Sequence, residues 1–158
     1  MGVPLFLKGR LKIMYKSQII KHVTKEMQLM DGNKIVFSAI VDVAVDDYLQ
    51  NVPALQKSIT DVMEKQGQLQ EKLAGMDNTQ AMEALKTLAD FSKDLNQYIN
   101  VFLNTVLGVE KARELITVCN GRYLDAYASI LPFVNECIAP AIKEEMEKNV
   151  ARIEDIMK

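Results

Sequence analysis

Soft metal ligands and catalytic bases are scarce in this chain of 158 residues, which has one histidine, two cysteines and no tryptophan. A structural zinc site wants four nitrogen or sulfur ligands, and His22, Cys119 and Cys137 cannot supply them from one chain. The two cysteines are far apart, each within an apolar helical pattern where a thiol acts as a small core side chain, so a disulfide framework is not expected. A serine or cysteine nucleophile needs a base within reach, and His22 is the sole imidazole. The chain also lacks His-Glu-x-x-His, Gly-x-Ser-x-Gly, Gly-x-Gly-x-x-Gly and any phosphate-cradling loop ending in Lys-Ser or Lys-Thr. These absences lead us to expect a protein that is not an enzyme and that holds no metal and no cofactor.

Long hydrophobic runs are missing too. The best candidate, Ile35 to Val45, is broken by Ser38 and Asp42 and falls well short of the roughly 20 residues that span a bilayer. Positive charge is scarce outside the first 34 residues, which carry seven of the 19 Lys and Arg but only two of the 21 acids. The acidic body is unsuited to a broad nucleic-acid surface, which needs clustered cations to displace counterions from phosphates. A cytoplasmic protein without a transmembrane segment is the expectation.

Residues 1–13 fit neither a signal peptide nor a myristoylation signal, since the apolar stretch is short and Phe6 stands where Ser or Thr belongs. Lys8-Gly9-Arg10 back-translates to a purine-rich stretch resembling a ribosome-binding site just upstream of Met14. We therefore expect residues 1–13 to be a non-native extension and 14–158 to be one domain. The rival reading of 1–13 is a basic, apolar arm that touches a membrane surface.

What is present is the material of a core. Apolar residues make up 49% of the chain and charged ones 25%, the balance of a globular domain large enough to fold without staples. From Tyr15 to Met30, Ile19, Ile20, Val23, Met27 and Met30 recur at helical spacing. Asp31-Gly32-Asn33 then offers turn chemistry. Over 35–49 helix and strand compete: Ile35, Phe37, Ala39, Val41, Val43 and Val45 would line one strand face, whereas Lys34, Ser38, Asp42 and Asp46 would form a polar helix stripe. Helix is favoured because no second strand stands ready to pair.

Pro53 suits the first turn of a third helix reaching Ala74. Its Leu55, Ile59, Val62, Gln66, Leu69, Leu73 and Met76 follow at steps of four and three, a coiled-coil seam with Gln66 as its polar, register-fixing member. A fourth helix to Leu107 repeats the pattern with Leu85, Leu88, Ser92, Leu95, Ile99, Phe102 and Val106, and its wider apolar face marks it as the spine. Asp77, Asn78 and Thr79 offer its N-cap, and Gly108 its end. A fifth helix carries Ala112, Ile116, Cys119, Tyr123, Ala126 and Ile130 on one seam, stopping or kinking near Leu131 and restarting near Pro140. The last, Ala141 to Met157, has the thin stripe Ile142, Met146, Val150, Ile153 and Met157 expected of a peripheral helix or dimer contact. The fold class expected is all-α, an antiparallel bundle of five or six helices with coiled-coil-like seams.

Three constellations are candidate sites. His22 and Lys25 resemble the His-x-x-Lys element of histidine phosphotransfer bundles, in which an exposed imidazole accepts phosphate and the lysine helps neutralise it. Glu26, Met27 and Gln28 replace the small residues and glycine that usually follow. Asp42, Asp46 and Asp47 form the densest carboxylate cluster; with Asp42 and Asp46 facing inward, those two could bind a cation or meet Arg113 or Arg122. Phe102, Tyr123, Tyr127 and Phe133 would line a small-molecule cavity beside the prolines. Met27, Met63, Met76 and Met82 read as core filler. The reading that best fits the whole is a non-enzymatic helical interaction module, forming a homodimer or binding a protein partner in a signalling or regulatory complex. The alternatives are a small-molecule sensor and a phosphotransfer bundle.

Overall fold

A computed structural model describes residues 21–158; the expectations for residues 1–13 lie outside that range. The described chain begins not with a helix but with a β-hairpin, so the fold is mixed and the all-α bundle is corrected. Strand β1 (His22–Asp31) pairs antiparallel with β2 (Lys34–Ala44), setting Val23 against Val43, Lys25 against Val41 and Met27 against Ala39. Gly32-Asn33 is the two-residue connection, and only Gly32 has positive φ (+61°), as in a type II′ turn. Near the turn the register shifts between Leu29 and Met30, leaving Val36 as the extra residue of a bulge.

The hairpin forms because one of its faces is apolar. Side chains alternate across a strand, so Val23, Met27, Phe37, Ala39, Val41 and Val43 are buried against the helices while Thr24, Glu26, Gln28, Ser38 and Asp42 face outward. Both helical readings of this stretch draw mainly on spacings of four. Four is a multiple of the strand period as well as close to the helical one, so Val23 with Met27, and Ser38 with Asp42, share a face in either structure. The hairpin turn and the partner strand decide the matter.

β2 passes directly into helix α1 (Val45–Leu73), whose first residue extends the ladder through a 2.9 Å hydrogen bond from its N–H to the Lys21 carbonyl. The helix therefore starts before Pro53, which lies inside it and removes the bond that an N–H there would make to the Leu49 carbonyl. Helix α2 (Asn78–Leu107) runs back along α1 after a short turn. Its start is a capping box: the Asp77 carboxylate accepts from the Gln80 N–H at 2.8 Å while the Gln80 side chain accepts from the Asp77 N–H. Gly108, at φ +82°, ends it, and α3 (Val109–Val118) follows at once.

The long fifth helix expected over 109–131 is broken at Asn120 and Gly121, both with positive φ, a conformation that no continuing helix can hold. Cys119 and Tyr123 consequently do not share a helix. Helix α4 (Tyr123–Phe133) then continues without interruption through a π-turn (Val134–Ile138) into α5 (Ala139–Met157). Within the turn the Ala139 N–H donates to the Val134 carbonyl five residues back. This wider loop lets the chain carry Pro132 and Pro140 without stopping.

α2 is the spine, packing against α1, α3, α4 and β2. Ile99, Phe102 and Leu103 from it meet Phe37, Ile59, Leu115, Ile130 and Ile138 in one core, each of them at most 1% exposed. The far ends of α1 and α2 form a two-helix stalk in which Gln66 Nε2 donates to Ser92 Oγ at 2.9 Å. The polar members of the two seams thus face each other. Met27 is buried and Met76 half-buried, but Met63 and Met82 are exposed, which corrects their reading as filler.

Candidate functional site

His22 opens β1 on the outer face of the hairpin, and Lys25, three residues on, falls on the opposite strand face. The helix that would align them for phosphotransfer is absent from this segment. His22 instead meets Asp42 across the ladder: Nδ1 stands 3.0 Å from Oδ1, and the Thr24 hydroxyl donates to the same oxygen at 3.1 Å. An ionised carboxylate only accepts, so Nδ1 is the donor in this pair. Both side chains are about half exposed, and such a pair contributes about 0–1 kcal/mol.

The three aspartates separate. Asp42 is on β2, whereas Asp46 and Asp47 occupy the first turn of α1, where a carboxylate is favoured by the helix dipole. All three are exposed, and no ion pair among the described residues joins Asp42 or Asp46 to Arg113 or Arg122; Arg122 lies 3.3 Å from Asp125 instead. Asp42 and Asp47 come together in a cleft of about 470 Å³ whose wall also includes His22, Tyr48, Asn51, Asn104 and Thr105. Burial pushes the Tyr48 phenol up, keeping it a hydrogen-bonding hydroxyl through the neutral range. Among the described residues no three or more His, Cys, Asp or Glu side chains gather as a metal site would require.

The four aromatics do not enclose a cavity together. Phe102 and Tyr127 are buried edge to face, with centroids 5.0 Å apart and planes at 73°, and fill the core. Phe133 packs half-buried against the core. Tyr123 alone faces open space, lining two small clefts of about 250 and 230 Å³ on the side of α2. Cys119 is half-buried, and its thiol is pushed up by burial and by Asp125, with Arg122 acting in the opposite sense. It is therefore a poor nucleophile near neutrality.

The clearest surface feature escapes the core entirely. After Ile142, every apolar residue of α5 except the short Ala151 is a large exposed one: Met146, Val150, Ile153, Ile156 and Met157. Val150 and Ile153 are 54% and 55% exposed, although Met146, Val150, Ile153 and Met157 follow at steps of four, three and four on one side of the helix. The spacing was legible from the residues; the exposure was not. No helix among the described residues is long and apolar enough to cross a membrane. No protein-family model, curated protein or solved structure matches this chain.

Proposed function

We propose that this protein is a non-enzymatic, cytoplasmic association module that forms a homodimer through α5 and so builds a signalling or regulatory complex. The observation that supports the reading is the uncovered apolar stripe of α5. A helix that is polar on one side and apolar on the other gains little from the stripe until something buries it. Full burial of a Val, Ile or Met side chain contributes about 1.5–3 kcal/mol, and four such side chains per copy offset a substantial association entropy.

Charge favours a parallel pair. With Val150 at an a position and Ile153 at d, Glu147 and Glu154 occupy e while Asn149 and Ile156 occupy g. Parallel alignment sets Glu154 beside the other copy's Asn149, whereas antiparallel alignment sets Glu147 beside Glu154 and adds repulsion. Lys143, one heptad before Val150, would face its own copy, so the zipper begins at Met146.

Native mass spectrometry and light scattering test this. The parent chain should dimerise with rising concentration, and the double variant Val150→Asp, Ile153→Asp should be monomeric with an unchanged melting temperature at low concentration. A parent that stays monomeric, or a variant that still dimerises, would refute the reading.

A further inference from the structure

α2 carries asparagine at 96, 100 and 104, four apart, so three side-chain amides stand in a row on one helix face. Clefts open along that row and share lining residues. The first, lined by Lys93, Asn96, Asn100 and Tyr123, shares Asn100 and Tyr123 with the second, which adds Asn104 and Arg113. The second shares Asn104 with the third, where Asp42 and Asp47 stand. No described residue hydrogen-bonds to the side-chain amides of the three asparagines, although neighbouring polar groups such as Asn51 and Thr105 are bonded to backbone carbonyls. Each amide offers two donors and an acceptor, the complement of a peptide group.

The spacing selects the ligand. Four residues of α-helix rise about 6 Å, while alternate residues of a β-strand, whose peptide groups point the same way, are about 6.6 Å apart. Successive asparagines can therefore meet successive peptide groups on the same side of an extended segment. Charge changes along the row: Lys93 lines the first cleft and Arg113 the second, neither in an ion pair with a described residue, and the far end holds two carboxylates. A polyanion would be repelled from that far end.

We propose that this groove binds an extended peptide segment of a partner protein, its main chain on Asn96, Asn100 and Asn104. An acidic side chain lies at the Lys93 end and a basic one at the Asp42–Asp47 end. The groove uses no residue of α5, so it stands independently of dimerisation.

The test is an NMR titration of the full chain with the synthetic peptide Lys-Ser-Thr-Ser-Thr-Ser-Asp and with its reversed sequence. One of the two should shift the side-chain NH₂ signals of all three asparagines saturably, and the double variant Asn100→Ala, Asn104→Ala should bind it at least about fivefold more weakly, as two lost hydrogen bonds imply. Alanine favours helix over asparagine, so an unchanged or raised melting temperature separates lost binding from lost fold. Three outcomes would each overturn the proposal: no amide shift with either peptide at millimolar concentration, undiminished binding by the double variant, or equal shifts from maltohexaose or from acetate alone. The last would mark a sugar groove or a simple anion site.

Discussion

Replacing Gln66 and Ser92 by alanine, singly and together, tests whether the two polar seam residues hold the α1–α2 stalk in register. Their hydrogen bond is 2.9 Å long and joins a half-buried amide to an exposed hydroxyl. A neutral hydrogen bond contributes about 0.5–1.5 kcal/mol net, and exposure places this one at the lower end, about 0.5–1 kcal/mol. The single variants will understate it, because alanine recovers a few tenths of a kcal/mol of helix propensity at each site. The double-mutant cycle cancels that gain and leaves the coupling. Urea denaturation gives the free energies, and a change confined to the midpoint, with the slope unaltered, assigns the effect to stability rather than to a looser native state. A companion variant, Gln66→Leu with Ser92→Ala, removes both polar groups at once and should be at least as stable as the parent, since neither is left unsatisfied. Coupling below about 0.3 kcal/mol, within the additivity expected of independent sites, would refute the register role.

The monomer expected on placing aspartate at Val150 and Ile153, and the weakened peptide binding expected on trimming Asn100 and Asn104, are read by mass spectrometry and NMR as set out above. Gly32→Ala forces a side chain onto a residue at φ +61° and should cost about 1–2 kcal/mol, lowering the melting temperature by several degrees; an unchanged melt would dispose of the tight-turn reading. Burial raises the Tyr127 phenol, so the folded state keeps it protonated where the unfolded chain ionises it. That contribution is fully present below about pH 10, the unfolded value, and is lost as pH rises from there through the folded value. Tyr127→Phe should accordingly resist alkaline unfolding above pH 10 better than the parent, and parallel losses in the two proteins would contradict the assignment.

How much of this was legible in the residues depends on which spacing carried the signal. The stalk was readable because α1 and α2 repeat steps of three and four over several turns, and no strand can keep such a seam on one face. Gly108 and the Asp77 cap were readable because each meets a specific backbone need. The hairpin was misread because a step of four satisfies both periods; the discriminating residues were the odd-numbered ones, Phe37 to Val43, together with Gly32-Asn33. The break at Asn120 was missed because the apolar positions on either side of it happen to continue one helical phase, so periodicity alone passes through a turn that only positive φ reveals.

The candidate surfaces divide along the same line. An amphipathic stripe on α5 can be read from spacing, but whether it faces a core or solvent is a property of the fold: Ile142 is 2% exposed, and the next member, Met146, is 43% exposed. The asparagine row is equally regular in the chain, yet polar residues at steps of four ordinarily mark a solvated helix face and nothing more. What gives Asn96, Asn100 and Asn104 a different meaning is the company that distant segments bring. Arg113 from α3, Tyr123 from α4 and Asp42 from β2 line the clefts along the row. Only the mixed fold does this, because β2 packs against α2 and brings Asp42 to the cleft that Asn104 also lines. On a helix Asp42 and Asp46 would share a stripe; on β2 and α1 they part, and Asp42 joins Asp47 in the cleft beside Asn104 instead.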